Sequence, residues 1–181
     1  MVRWITLFSQ TGSEIVDLAN RLGRWPDRIL SNNVDVDSMH PDIRKRVRIL
    51  SHTGVEEQLQ YEDEFAWDTI VTLHGYLRIL SSKVLDTSLQ IYNGHPGYIS
   101  KYPELKGKDP QEKVANNLDK YPIIGSTIHK VIAEVDEGDI VSEITTRNQC
   151  QNKDEVYSVL KLSSSQAWVN FLEDKINVKQ E

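Results

Sequence analysis

Asn93 and His95 stand two residues apart where a strand-like run, Leu89-Gln-Ile-Tyr-Asn93, gives way to Gly94 and Pro96. On an extended backbone, side chains two apart leave the same face. In a parallel sheet the carboxyl ends of the strands border the ligand crevice. An amide beside an imidazole offers hydrogen-bond donors and a proton carrier, which suits a carbonyl oxygen becoming an oxyanion. On its own, the same stretch, Asn-Gly-His-Pro-Gly, reads first as a turn, because Asn, Gly and Pro all favour turns. Asp136, in Ala133-Glu-Val-Asp-Glu-Gly138, is a carboxylate that could serve the imidazole. Placed beside it, the carboxylate would favour the protonated ring and relay a proton through water. The plain alternative for Asp136 is a solvated acidic turn between two strands.

Gln10-Thr-Gly-Ser-Glu14 also has two readings. Its backbone could form an anion nest at a helix N-terminus, or Thr11 and Glu14 could close a capping box that uses the same amides. Capping is the better supported of the two, and the turn lacks both G-x-G-x-x-G and the Walker lysine. The histidines at 40, 52, 74, 95 and 129 show no metal-ligand spacing, and the single Cys150 excludes an intrachain disulfide, a CxxC pair and a Cys-rich zinc site. No metal is expected. Lys101, Lys106 and Lys108 lie in a long irregular stretch, Gly97–Asp109, where they would attract an anionic acceptor or simply be solvated. Ser163-Ser-Ser165 lies in a helical pattern without the context of a nucleophile elbow.

These side chains need a scaffold, and the pattern supplies one. Arg3–Ser9 reads as a strand, followed by the glycine turn and a helix carrying Ile15, Leu18, Ala19 and Leu22, closed by Gly23 and Pro26. Arg28–Ser31 and Val47–Ser51 read as strands with a short helical stretch, Pro41–Arg46, between them. An acidic helix, Val55–Glu64, leads to Asp68–Leu73, a continuous apolar-rich strand suited to a sheet covered on both faces. Pro110 opens a helix to about Leu118. Strands Gly125–Ala133 and Gly138–Thr146 flank the acidic turn Glu134–Glu137. A last helix near 153–175 carries Val156, Leu160, Ser163, Ala167 and Phe171 on one stripe. The reading is one α/β domain over residues 1–181 with a mostly parallel sheet.

With 181 residues, the chain can bury roughly 70% of the surface it exposes when unfolded, so it needs no covalent or metal staple. The balance of 21 Lys+Arg against 27 Asp+Glu, net −6, argues against a nucleic-acid or anionic-membrane binder. No targeting segment is evident and no stretch approaches the ~18 apolar residues of a membrane span. A cytoplasmic location is therefore expected.

Thr72-Leu-His-Gly-Tyr-Leu-Arg-Ile-Leu-Ser81, Ile91-Tyr-Asn-Gly-His-Pro96, Gly125-Ser-Thr-Ile-His129 and Val135-Asp-Glu-Gly138 occur in one order and spacing. Together they resemble the formyltransferase domain of the glycinamide ribonucleotide transformylase type, over about residues 3 to 146. The resemblance implies a Rossmann-like open sheet with helices on both faces, and transfer of a formyl group from 10-formyltetrahydrofolate to an amine. It implies a triad: Asn93 bonds the formyl oxygen, His95 as imidazolium stabilises the tetrahedral intermediate and protonates the departing folate nitrogen, and Asp136 keeps His95 charged. It places the pterin of the folate, largely by backbone contacts, beside Tyr76, Leu77, Arg78, Leu80 and Ala133, Glu134, Val135, Asp136. Leu73, Leu85 and Ile91 join Tyr76 as candidate apolar walls or as ordinary core.

On the acceptor side the resemblance assigns Thr11, Gly12 and Ser13 to substrate binding. Gln10 and Glu14 depart from the pattern of the nucleotide enzymes there, and a carboxylate at 14 would repel phosphate. Gly94 stands where the family prefers a branched apolar residue, the segment after His95-Pro96 differs, and the chain is short through Arg28–Glu64. The expected function is formyl transfer to a primary amine of a small molecule such as a nucleotide or amino-sugar. The partner expected is that acceptor, and an acidic surface with an exposed strand edge is compatible with a homodimer without requiring one. The alternatives are a formyl-folate hydrolase, or a folate- or nucleotide-binding protein without catalysis.

Overall fold

The computed structural model describes residues 2–65 and 68–176. In chain order the elements are β1 (Arg3–Phe8), α1 (Ser13–Leu22), β2 (Arg28–Ser31), α2 (Pro41–Arg44), β3 (Val47–Ile49), α3 (His52–Asp63), β4 (Thr69–Leu73), α4 (Ser82–Leu85), β5 (Gln90–His95), α5 (Pro110–Ala115), β6 (Ile123–Lys130), β7 (Ile140–Arg147) and α6 (Lys153–Ile176). The strands form a seven-stranded sheet in the order β3-β2-β1-β4-β5-β6-β7. The pairs β1–β2, β1–β4, β2–β3 and β4–β5 are parallel, and β6–β7 is antiparallel. This is the mostly parallel, Rossmann-like α/β arrangement the strand–helix alternation implies.

Contacts group the chain into two compact units, one of residues 1–93 with the segment from Leu172 onward, the other Gly94–Phe171. In the first, Leu7 pairs with Leu30 on one side and Leu73 on the other, and every residue of β4 is buried. Apolar runs of this kind are what strands covered on both faces require. Phe8, Ile15, Val16, Ile29, Met39 and Ile43 form one core cluster of this unit. Gly23 ends α1 with φ 65, the left-handed cap that glycine makes cheaply. Glu62 of α3 is buried and paired with Arg3 at 2.9 Å and Arg28 at 2.5 Å, which ties the helix to the starts of β1 and β2. In the second unit, Ile99, Leu105, Val114, Tyr121, Ile124, Val156 and Leu160 form the core. The stripe read along α6 is buried at all five of its positions.

The differences from expectation lie at element ends. α3 starts at His52, three residues early, because Ser51 Oγ accepts from the Gly54 amide at 3.1 Å and caps it. α5 stops at Ala115 and a 3-10 turn, Leu118–Lys120, follows. β6 ends at Lys130 rather than Ala133, and β7 begins at Ile140. The turn between them is thus longer than the sequence pattern implies.

Candidate active site

His95 is the last residue of β5 and is 4% exposed. Asn-Gly-His is therefore strand; the chain turns only at Pro96, with the Gly97 amide donating to the His95 carbonyl at 2.8 Å. Asn93 precedes His95 by two residues on the same strand and is half-buried. The His95 ring is held at both nitrogens. Nε2 lies 2.8 Å from the Leu105 carbonyl, and Nδ1 lies 3.2 Å from Asp136 Oδ2.

Asp136 sits in the turn between β6 and β7 with φ 56, a left-handed conformation uncommon for a residue other than glycine. Its carboxylate is 8% exposed, so the solvated-turn alternative does not hold. Oδ2 also accepts from the Gly107 amide at 2.8 Å, and Oδ1 lies 3.2 Å from Nε2 of His129. His129 in turn has Nδ1 3.0 Å from the Lys130 carbonyl. Two residues on, Gly138 is required: a Cβ there would run into the Lys130 carbonyl. Lys106, which the sequence offered as an anion attractor, pairs with Glu137 at 2.6 Å.

The electrostatics of this cluster divide cleanly. Burial pushes the Asp136 carboxyl up, but the hydrogen bond from His129, the charge of His95 and the Gly107 amide outweigh it and bring the pKa from 3.8 to about 2. For His95 burial is the largest influence and wins, lowering its pKa below 6.5 against the opposing pull of Asp136 and the Leu105 carbonyl. Yet both ring nitrogens face acceptors, and only a doubly protonated ring can donate to both. Hydrogen bonding holds the second proton while burial loosens it.

The loop after His95 is tied down from β6. Thr127 Oγ1 lies 2.8 Å from the Gly97 carbonyl and 2.7 Å from Glu143 Oε2, and Ser100 donates to the same carboxylate at 2.9 Å.

The remaining candidate segments fall in separate units. In the first, Tyr76 is buried with its hydroxyl 2.9 Å from His52 Nδ1, and burial together with the nearby Glu56 pushes its phenol up to about 12 against the pull of Arg78. Leu77 is 66% exposed and its amide donates to Ser9 Oγ at 2.9 Å, Arg78 is exposed, and Leu80 is buried. Leu73 and Ile91 are buried strand residues, and Leu85 is half-buried on α4. In the second unit, Ala133, Glu134 and Val135 are exposed beside Asp136.

Thr11, Gly12 and Ser13 form one turn before α1, with Thr11 Oγ1 donating to Ser13 Oγ at 3.2 Å. The capping box does not form. Gly12 occupies the N-cap position with φ 70 and no side-chain cap, and Glu14 points away, its Oε2 2.8 Å from His74 Nδ1. A hydrogen bond between carboxylate and imidazole outcompetes one to the turn amides.

Residues 35–165 match the formyl transferase family, well over half of the 181-residue chain. The chain belongs to that family. Among solved structures, phosphoribosylglycinamide formyltransferase from Anaplasma phagocytophilum is similar, with a TM-score of 0.78 at 21% identity over 95% of this chain and 85% of that one. Glycinamide ribonucleotide transformylase 1 from Symbiobacterium toebii superposes with a TM-score of 0.76 at 19% identity, covering 96% and 86%. A formyltetrahydrofolate deformylase from Pseudomonas syringae pv. tomato str. DC3000 gives 0.75 at 18%, covering 99% of this chain and 64% of that one. No match is found among curated proteins.

Within the formyl transferase family the glycine between Asn93 and His95 departs from expectation, and the packing explains it. A Cβ on Gly94 would stand 2.7 Å from Nε1 of Trp168, which is fully buried. The indole fills the place a branched side chain would take. His129 is the functional candidate that sequence reasoning passed over. Its signal in the sequence is its alternating spacing from Thr127 near the end of a buried strand.

Proposed function

We propose that the protein transfers a formyl group from 10-formyltetrahydrofolate to a primary amine of a small molecule. The observation that carries this reading is the His95–Asp136 pair at 3.2 Å, on a ring whose strand also presents Asn93, in a chain of the formyl transferase family. The folate supplies an already activated formyl group, so no metal is required. The Asn93 amide donates to the formyl oxygen as negative charge grows there. His95 holds the second proton at Nδ1, where Asp136 stabilises it. The acceptor nitrogen bonds to the formyl carbon, the bond from that carbon to the folate nitrogen breaks, and the amine's proton ends on the folate nitrogen.

Two exposed segments suit a flat, partly apolar ligand bound largely through backbone groups. Leu77 and Ile79 are 66% and 73% exposed in one, and Val135 is 54% exposed in the other. On the family resemblance, folate contacts are assigned within the first unit to Tyr76, Leu77, Arg78 and Leu80 and, separately, within the second to Ala133, Glu134, Val135 and Asp136, and acceptor contacts to the Thr11–Ser13 turn. The whole chain then acts as one formyltransferase-like domain, in the cytoplasm and on neither nucleic acid nor membrane. Among the described residues no helix is long and apolar enough to cross a membrane.

The test is formyl transfer from 10-formyltetrahydrofolate across a panel of primary amines, with formate release measured in parallel. Asn93→Ala and His95→Ala should each lower turnover by ~10²–10³ while the fold is kept. Unchanged rates in either variant would remove the mechanism. Formate release without any formylated amine would make the protein a hydrolase, and tight folate binding with neither product would make it a binder.

A further inference from the structure

The strand order places a topological switch between β1 and β4. From β1 the chain winds outward through β2 to β3, then crosses back to β4 on the other side of β1. In open α/β sheets, ligands sit in the crevice outside the carboxyl ends of the two strands at such a point. Here the walls are the turns Ser9–Ser13 and His74–Leu77, both within the first unit. They are locked together by the Ser9 amide donating to the Gly75 carbonyl at 3.2 Å, the His74 amide to the Leu7 carbonyl at 2.8 Å, and the Leu77 amide to Ser9 Oγ.

The charged group fixed at this crevice is a carboxylate. Glu14 and His74 are 60 residues apart in sequence and 2.8 Å apart in space. The His74 side chain is 1% exposed and that of Glu14 21% exposed, so the imidazole cannot meet a ligand while the carboxylate can. His74 Nε2 lies 2.8 Å from Thr72 Oγ1, which accepts from the buried Trp4 indole at 3.0 Å. Each group is satisfied when the indole donates to the hydroxyl, the hydroxyl to Nε2, and Nδ1–H to Glu14. A buried chain of hydrogen bonds therefore fixes the orientation of the carboxylate. A side chain that merely decorated the surface would need no such backing.

The segments 9–14, 31–40 and 73–77 contain no lysine or arginine; the nearest cations in sequence flank them, with Arg44 paired to Asp37 at 3.7 Å and Arg78 exposed after Leu77. Asn33 joins this rim by donating to the Gln10 carbonyl at 2.8 Å. Its neighbour Val34 is 83% exposed and Leu77 is 66% exposed, so apolar side chains flank the turn from both the Asn33 side and the Ser9 side. A phosphate would meet a fixed negative charge at Glu14, in turns that themselves carry no cation.

We propose that this crevice takes a non-phosphorylated group rich in hydrogen-bond donors, an ammonium or hydroxyls on a partly apolar body, and that Glu14 is the residue that selects it. The inference rests on the formyl-transfer reading for its meaning, since the selected group would be the far end of the amine acceptor. Its test does not depend on turnover. Wild-type protein, Glu14→Gln and Glu14→Asp are titrated calorimetrically with 1,5-diaminopentane, methyl glucoside and inorganic phosphate, and circular dichroism confirms the fold of each.

Wild type should bind the diamine or the glucoside saturably and phosphate not at all at 10 mM-scale concentrations. The arm that binds tells ammonium from hydroxyl. Glu14→Gln should weaken that binding at least about tenfold and gain measurable phosphate binding, and Glu14→Asp, with its carboxylate drawn back by one methylene, should fall between. Phosphate binding by wild type, absence of saturable binding by both donor probes, or donor binding indifferent to both variants would overturn the proposal. If donor binding behaves as expected while no amine is formylated, the formyl-transfer reading fails and the crevice assignment stands.

Discussion

The second proton of His95 is contested between burial, which lowers the ring's pKa, and two acceptors, which raise it. Asp136 supplies one of the two. Removing its charge in Asp136→Asn leaves burial in place and takes away an opposing influence, so the ring should titrate lower still. Proton-detected titration of the His95 ring should give a value below 6.5 in wild type and a further drop in the variant; no drop would mean that Asp136 does not govern the proton. The sign carries over to stability. A folded-state pKa below the unfolded value gives stability that is present above the unfolded pKa and lost as pH falls through the folded one. His95 therefore costs stability as pH falls below 6.5, and Asp136 adds a second loss between 3.8 and about 2. The Asp136 contribution is roughly 2 kcal/mol. Urea unfolding at successive pH values should show both losses in wild type, and only the first in Asp136→Asn. The residue type and spacing of Asn93, His95 and Asp136 were legible in the sequence, because strand parity and a family pattern report on them. The carbonyl of Leu105 and the amide of Gly107 were not. Backbone groups have no residue type to read.

At the scale of elements, β5 and α6 are matched by one missing side chain. Gly94 lets the Trp168 indole approach the strand that carries Asn93 and His95. A methyl group in Gly94→Ala must displace a fully buried ring, and overpacking of this kind costs about 1–3 kcal/mol. Gly94→Val should cost more, and Trp168→Leu should recover part of the loss in the double variant. Additive losses by denaturant unfolding would show that the two sites do not meet. The helical stripe of α6 gave its buried face in advance, since four apolar positions and Ser163 recur at the helical period. It could not show that Trp168, off that stripe, would also be buried. α4 was missed because four residues leave no period to detect. The Thr11–Glu14 pattern misled for a different reason. A capping box is a local rule, and the competitor for Glu14 was a histidine 60 residues away.

For the whole molecule, the net charge of −6 opposes the approach of a folate, whose glutamate tail is itself anionic. Binding must then be won by local contacts, and it should be felt across the chain as mass-action stabilisation. A stable 10-formyltetrahydrofolate analogue at a hundred times its Kd would add about 2.7 kcal/mol. For a chain of this size each kcal/mol raises Tm by about 2–4 °C, so the expected rise is on the order of 5–10 °C. Long-range repulsion is screened beyond about 10 Å at 0.1 M salt and acts much farther at 0.01 M. At a fixed subsaturating concentration of the analogue, the rise should therefore be smaller at 0.01 M salt than at 0.15 M, after correction for the effect of salt alone. A larger rise at low salt would mean that local cations such as Lys106 or Arg78 dominate the field the ligand meets, in spite of the pairing of Lys106 with Glu137. No rise at any salt would remove folate as the formyl donor and leave the fold of a formyl transferase serving another ligand.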